Sequence, residues 1–241
     1  MTLRINKYVI FNLTELVKNG SLIVGMLAAC VPAITMTYFI LNGSTTFTIK
    51  HVSNFYCMLG MLAAVLLPLS FINRDYSTKT ISLMNNTIQN RRNYYFANCI
   101  IALSVSLLYA MTGIVLLLVA KTLGVPGDLD PSLFVAFSVN VLLLVMTYYL
   151  FGYLLFLYNV RSGTVYGILT AMLLFLPNAL FNIQGLIHND ILLDWIENFP
   201  GYFYPIMVGS DSFSPLQYSI GVFTLSVLFV VILKKSEKME V

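Results

Sequence analysis

Residues 72–96 read INRDYSTKTISLMNNTIQNRRNYYF, a polar island between two long apolar runs. Charged residues make up only 10% of the 241-residue chain, yet five of them lie here: Arg74, Asp75, Lys79, Arg91 and Arg92. A connection that only reversed the chain between two helices would need about 4–6 residues, whereas this island has roughly 20. The excess length predicts that the island contacts another molecule.

The apolar runs around the island indicate the class of protein. Hydrophobic residues make up 59% of the sequence and the mean hydropathy is +0.84, far outside the range of a soluble domain. A helix needs about 20 apolar residues to cross a bilayer core of roughly 30 Å. The runs that satisfy this are 21–41, 52–72, 94–120, 132–158, 164–184 and 214–233. The sequence therefore predicts an all-α polytopic membrane protein with a single transmembrane domain over 1–241.

The basic residues predict how the chain is oriented. With both termini cytoplasmic, only Lys50 and Lys121 of the 13 Lys and Arg residues lie outside. Lys and Arg concentrate in the cytoplasmic loops of membrane proteins. The pattern predicts six transmembrane helices with cytoplasmic N and C termini, in a multi-pass protein of a cell (plasma) membrane.

Residues 3–18 have the pattern of an amphipathic helix. At 100° per residue, one side is apolar and holds Ile5, Val9, Leu13 and Leu16. The opposite side is polar and holds Arg4, Lys7, Thr14 and Lys18. Asn19 and Gly20 then favour a break before the first span. The pattern predicts an interfacial helix on the cytoplasmic side; an ordinary start to the first span is the alternative.

The predicted spans carry no charged residue in their central parts. Ion-coupled carriers usually hold such a residue near the midplane, so a secondary carrier is disfavoured. No GxxxxGK[ST] loop is present to bind ATP. The serines at membrane depth have no histidine in any span to act as a base. We therefore do not expect the chain to be an enzyme.

The cysteines and histidines indicate no metal site. Cys30, Cys57 and Cys99 form no CxxC pair. Each lies inside or at the edge of a predicted span, where a cysteine acts as a small apolar packing residue. His51 and His188 have no Cys or carboxylate at metal-ligand spacing. We expect no metal and no other cofactor on this chain, and no nucleic-acid partner.

Within the island, the stretch from Thr78 to Asn90 is compatible with a short helix. It carries apolar side chains among polar ones, namely Ile81, Leu83, Met84 and Ile88. Such a segment suits docking onto a protein surface, and a solvated charged loop is the alternative. The residues alone leave both interpretations open.

The spacing of Asp75, Lys79-Thr80, Leu83 and Arg91 resembles a family motif. It is similar to the acidic residue, Gly-Thr pair, leucine and arginine in the cytoplasmic loop of ABC transporter permeases of the type-2 exporter family. The amphipathic N-terminal helix, the six spans and the long outer segment fit that family too. The sequence departs from the motif at Asp75 for Glu, Lys79 for Gly and Ile88 for Pro, and loss of the proline favours a more continuous helix.

The resemblance implies how the chain is driven. Residues 73–93 would be a coupling loop on which a separate ABC ATPase subunit docks, and ATP and Mg would bind to that partner. The coupling residues would be Asp75 and Arg91, which brace the two ends of the loop, the motif residue Thr80, and Ile81, Leu83 and Met84, which form the docking surface. Two permease chains would match two ATPases, so the expected assembly is a homodimer, with a related second permease as the alternative.

A second polar segment, 185–213, precedes the last span. Trp195, Tyr202 and Tyr204 have the amphipathic side chains typical of a membrane interface. The resemblance implies short extracellular helices that cap the translocation path, and a plain interfacial anchor is the alternative. Pro177, beside Asn178, predicts a break in the fifth span.

The resemblance also implies a cargo class. Small type-2 permeases of Gram-positive bacteria export antibiotics, lantibiotics and other peptides, or confer immunity to them. The chain is most similar in general appearance to the permeases of staphylococcal phenol-soluble modulin exporters, which carry short amphipathic toxin peptides. We therefore expect an exporter of amphipathic toxin or antimicrobial peptides, or of similar hydrophobic molecules. A secondary carrier, or a non-transporting bacteriocin-immunity or anchor protein, is the alternative.

Overall fold

The computed structural model of the chain describes residues 3–43, 46–81 and 86–238, and within these ranges it contains helices and no strand. The helices are α1 (Ile5–Lys18), α2 (Ser21–Asn42), α3 (Ile49–Ser77), α4 (Ile88–Thr122), α5 (Pro131–Leu157), α6 (Ser162–Thr170), α7 (Leu176–Gln184), α8 (Asp190–Glu197), α9 (Pro200–Met207) and α10 (Pro215–Glu237). A π-helical turn at Ala171–Phe175 joins α6 to α7, so the two form one span.

Six helices of the described chain are long and apolar enough to cross a membrane, which confirms the predicted number of spans. They are α2, α3, α4, α5, the joined α6 and α7, and α10. The largest extensions beyond the apolar runs are in α3, which continues to Ser77, and in α4, which already begins at Ile88. Most of the polar island is therefore helical, and the connection between α3 and α4 covers only residues 78–87.

The core lies around α3, which packs against α2, α4 and α5. A close approach occurs at Gly152 of α5, where an added Cβ would lie 2.7 Å from Leu69 of α3 and 2.9 Å from Leu169 of α6. A small residue at this position lets the three helices pack closely. In contrast, α2, α6 with α7, and α10 leave broad apolar faces exposed, as expected for helices in contact with lipid.

The predicted break before the first span is present, whereas the fifth span is widened and not broken. Gly20 separates α1 from α2 in the left-handed region, with φ of 74°, a conformation that glycine adopts without strain. In the fifth span the π-helical turn ends directly before Leu176 and Pro177. Pro177 has no N–H to donate to the preceding turn, which accounts for the widened helix at this point.

Both described chain ends lie at one end of the bundle, which we call the termini end. The backbone N–H of Leu3 donates to the Asn90 side chain at 2.8 Å. Arg92 pairs with Glu237 at 2.6 Å. The opposite end carries α8, α9 and the ion pair between Lys50 and Asp211.

Candidate functional site

A buried carboxylate marks the end of α3 beside the 78–87 connection. Asp75 is only 2% exposed. Its Oδ2 accepts hydrogen bonds from the hydroxyl of Tyr8 at 2.5 Å and from the hydroxyl of Tyr94 at 3.1 Å. Because Tyr8 belongs to α1 and Tyr94 to α4, this one carboxylate joins three helices.

Arg74 supplies the positive charge of this cluster. Its guanidinium donates to Asp75 Oδ1 at 3.1 and 3.2 Å, so the buried carboxylate is paired with a cation. It also donates to the Asn12 side chain at 2.9 Å and forms an ion pair with Glu15. A buried charge is stable only when it is paired and hydrogen-bonded, and here both conditions hold. We call Tyr8, Asn12, Glu15, Arg74, Asp75 and Tyr94 the anchor cluster.

Tyr8 acts as the hydrogen-bond donor of the cluster. Burial, and then the negative charge of Asp75, raise the pKa of Tyr8 well above its ordinary value. The phenol therefore stays protonated and donates a hydrogen bond to the carboxylate. Its ring also packs edge-on against Tyr94, with centroids 5.5 Å apart. The cluster thus holds α1 by both packing and hydrogen bonds.

Further contacts join the start of α4 to both chain ends. The side chain of Asn93 donates to the carbonyl of Leu3 at 3.0 Å. Arg91 donates to the carbonyl of Glu237 at 2.9 Å, and the neighbouring Arg92 pairs with the Glu237 carboxylate. Asp75 and Arg91 were expected to brace the two ends of the loop. Here Asp75 anchors α1, whereas Arg91 contacts the end of α10.

The connection itself begins with a tight turn. Lys79 adopts a left-handed conformation with φ of 56°, and the hydroxyls of Thr78 and Thr80 are 2.7 Å apart. Ile81, expected on the docking surface, is 9% exposed and belongs to the core. Leu83 and Met84, the other two expected docking residues, lie outside the described residues.

The residues expected at the extracellular cap separate into two environments. Trp195 on α8 is 74% exposed, as an interfacial side chain would be. Tyr202 and Tyr204 on α9 are buried instead. The Tyr202 hydroxyl is 2.5 Å from Gln184 at the end of α7, and the Tyr204 hydroxyl is 3.5 Å from Thr147 on α5. These two tyrosines pack α9 onto the bundle, because each has a polar partner within the protein.

Four polar residues at the end of the bundle opposite the termini end, namely Lys50, Asn140, Asp211 and Tyr218, form a hydrogen-bonded group that we call the polar seam. The side chain of Asn140, which is fully buried on α5, donates to the carbonyl of Asp211 at 2.9 Å. It accepts from the hydroxyl of Tyr218 on α10, also at 2.9 Å. The carboxylate of Asp211 pairs with Lys50 on α3 at 2.6 Å. This seam links α3, α5 and α10.

Sequence reasoning identified Asp75 but missed its partners. Asn12 was the available signal, because at 100° per residue it falls beside Ile5 at the edge of the apolar face of α1. A polar residue next to an apolar helix face indicates a buried partner. Arg74 was noticed only as a charge in the island, and nothing in the sequence tied it to α1.

Among the described residues, no group of three His, Cys, Asp or Glu residues lies close enough together to hold a metal ion. The three cysteines are free thiols. No protein-family model matches the chain, and no curated protein matches it. The anchor cluster joins the N-terminal helix, the end of α3 and the start of α4 beside the 78–87 connection.

Proposed function

We propose that the chain is the transmembrane permease subunit of an ATP-driven exporter. A separate ATPase subunit docks on the 73–93 segment and holds ATP and Mg. Two copies of the permease assemble to match two ATPases. The cargo is an amphipathic peptide, or a similar hydrophobic molecule, that is moved out across the cell membrane.

The observation that carries the proposal is the bond from Tyr8 to Asp75, placed three residues before the 78–87 connection. A movement of the 78–87 connection, when the docked ATPase subunit displaces it, moves α3 and α4 directly, because both helices are continuous with the connection. It moves α1 through the hydrogen bonds of the anchor cluster. Hydrogen bonds to a charged group contribute about 1.5–3 kcal/mol each, enough for the helices to move together.

The distribution of charge supports a cytoplasmic position for this end. All 13 Lys and Arg residues except Lys50 and Lys121 belong to segments at the termini end. Basic residues of membrane proteins concentrate in cytoplasmic segments. The docking segment and both termini therefore face the compartment that supplies ATP.

The spans support an amphipathic cargo. In the described residues of the six spans, charged side chains occur only near the helix ends, such as Lys50, Arg74 and Lys121. A path without charged groups offers little to a hydrophilic solute, whereas an apolar face buried against it gains about 25 cal/mol per Å². It also lacks the midplane ion site that a secondary carrier uses.

The proposal is tested by the ATP turnover of the reconstituted permease and ATPase. A series of peptides with graded amphipathicity and constant net charge should raise turnover in order of amphipathicity. Sugars and free amino acids serve as the hydrophilic control and should have no effect. A response that follows net charge removes the amphipathic cargo. If uncouplers abolish transport while ATP depletion leaves it intact, the chain is a secondary carrier instead.

A further inference from the structure

An open cavity of about 700 Å³ lies at the termini end, and no residue of the anchor cluster is in its lining, although Asn73 and Tyr76 flank Arg74 and Asp75 on α3. Its walls come from the last turn of α3, the last turn of α5 and the first turn of α6, with Tyr76, Phe156 and Arg161 among the lining residues. All three helices belong to predicted spans, so the cavity lies at the level where the bilayer core gives way to headgroups. A ligand here is reached from the membrane as well as from water.

Arg161 gives the cavity a positive charge that nothing in its lining offsets. The lining residues include no Asp or Glu. Within the described chain Arg161 forms no ion pair, whereas Arg74 and Arg92 at the same end pair with Glu15 and Glu237. A guanidinium without a carboxylate beside a cavity suits a phosphate, to which it can donate two parallel hydrogen bonds.

Uncharged hydrogen-bond donors line the same cavity as this guanidinium. Asn159, Ser162 and Thr164 line the same cavity. Their side chains make no hydrogen bond to any described part of the chain, so their N–H and O–H groups are available. Amide and hydroxyl donors next to an arginine are a usual setting for phosphate and sugar oxygens.

The other wall of the cavity is apolar. The rings of Tyr76 and Phe156 stack with centroids 6.1 Å apart. Gly163, which lines the cavity, and Gly167 lie one turn apart on the exposed face of α6, and a Cβ added at either would meet nothing within 4 Å. We call the shallow surface left by these two missing side chains the groove. A free phosphate ion would not use these surfaces, but the glycerol and acyl chain of a lipid would.

We propose that this cavity binds the headgroup of an anionic phospholipid. Arg161 contacts the phosphate, Asn159, Ser162 and Thr164 donate to its oxygens and to the headgroup, and an acyl chain follows the groove at Gly163 and Gly167. Charge complementarity and the adjoining apolar groove favour this occupant over a soluble anion. The proposal does not depend on the exporter assignment, because it concerns lipid retained by the folded chain.

The test measures lipid retention by native mass spectrometry of delipidated protein, to which phosphatidylglycerol or phosphatidylcholine with the same acyl chains is added. Arg161→Gln should weaken binding of phosphatidylglycerol roughly fivefold, the effect expected of one basic residue at an anionic surface. Arg4→Gln is the matched control, since Arg4 is exposed at the same end and does not line the cavity. Equal loss in both variants, or no loss in either, overturns the proposal.

Two further experiments distinguish a lipid from a soluble anion and from a second copy of the chain. Inorganic phosphate at the lipid concentration should not displace phosphatidylglycerol, and displacement would assign the site to a soluble anion. Gly167→Leu fills the groove and should lower lipid retention without changing the number of chains in the complex. If it changes the number of chains and leaves lipid retention intact, the groove belongs to a second copy of the chain and the lipid proposal is wrong.

Discussion

The hydroxyl of Tyr8 donates a 2.5 Å hydrogen bond to the carboxylate of Asp75, which is 67 positions away in the sequence. This bond fixes the N-terminal helix to the end of α3 beside the 78–87 connection. Removing the Tyr8 hydroxyl therefore tests the anchor cluster with the loss of a single non-hydrogen atom.

Tyr8→Phe should lower the free energy of unfolding by about 1.5–3 kcal/mol, because a buried carboxylate loses one of its donors. Tyr38→Phe is the matched control, since Tyr38 is 65% exposed on α2 and its hydroxyl has no partner in the described structure. It should change the unfolding free energy by less than about 0.5 kcal/mol. Unfolding in SDS, followed by circular dichroism, measures both. Equal effects of the two variants would mean that the Tyr8 bond contributes nothing specific.

The stability that Tyr8 contributes should also depend on pH. Its pKa is raised in the folded protein, whereas an unfolded tyrosine titrates near 10. The contribution is fully present below about pH 10 and declines as pH rises above it, by about 1.4 kcal/mol per pH unit, because only the unfolded state ionises.

The difference in unfolding free energy between the natural protein and Tyr8→Phe isolates this effect, since the two share every other tyrosine. That difference should be constant between about pH 7 and 9 and should shrink towards pH 11. A difference that grows with pH has the wrong sign for a phenol that remains protonated in the fold.

At the opposite end, the buried amide of Asn140 should matter more than the exposed ion pair beside it. Asn140→Ala leaves the Tyr218 hydroxyl and the Asp211 carbonyl without their partner, which costs about 1–3 kcal/mol. Lys50→Gln breaks an ion pair whose two side chains are each 51% exposed, and such pairs contribute about 0–1 kcal/mol. Unfolding in SDS measures the loss of unfolding free energy in each variant, and the loss should be larger for Asn140→Ala. A larger loss for Lys50→Gln would contradict this prediction.

The part of the fold that depends on apolar run length was predictable from sequence, and the part that depends on pairing was not. The six spans follow from hydropathy, whereas the helical extensions to Ser77 and from Ile88 do not, because polar residues continue a helix without adding to its hydropathy. Asp75 was found as a motif position. Its bond to Tyr8 depends on how α1 packs against α4, which brings Tyr8 within reach of the end of α3, and no local pattern encodes that.

The orientation of the bundle is tested by labelling. In a variant that lacks Cys30, Cys57 and Cys99, a single cysteine at Asn86 or at Asn189 should react with an impermeant thiol reagent from opposite sides of the membrane. Both positions are exposed in the structure, so a lack of access is not expected. In intact cells Asn189→Cys should be labelled and Asn86→Cys only after lysis. The reverse pattern would place the 73–93 segment outside the cell, away from ATP.

Co-purification with an ATPase subunit tests the central claim most directly. The natural chain, isolated in mild detergent, should bring along an ATP-binding subunit in equal number. The double variant Leu83→Asp and Met84→Asp should remain inserted and folded but lose that subunit, since charged side chains replace the apolar docking surface. Asn189→Asp, at the opposite end of the bundle, is the control and should retain it. If the natural chain carries no ATP-binding subunit, or if the double variant retains it in equal number, the docking role of the 73–93 segment is contradicted.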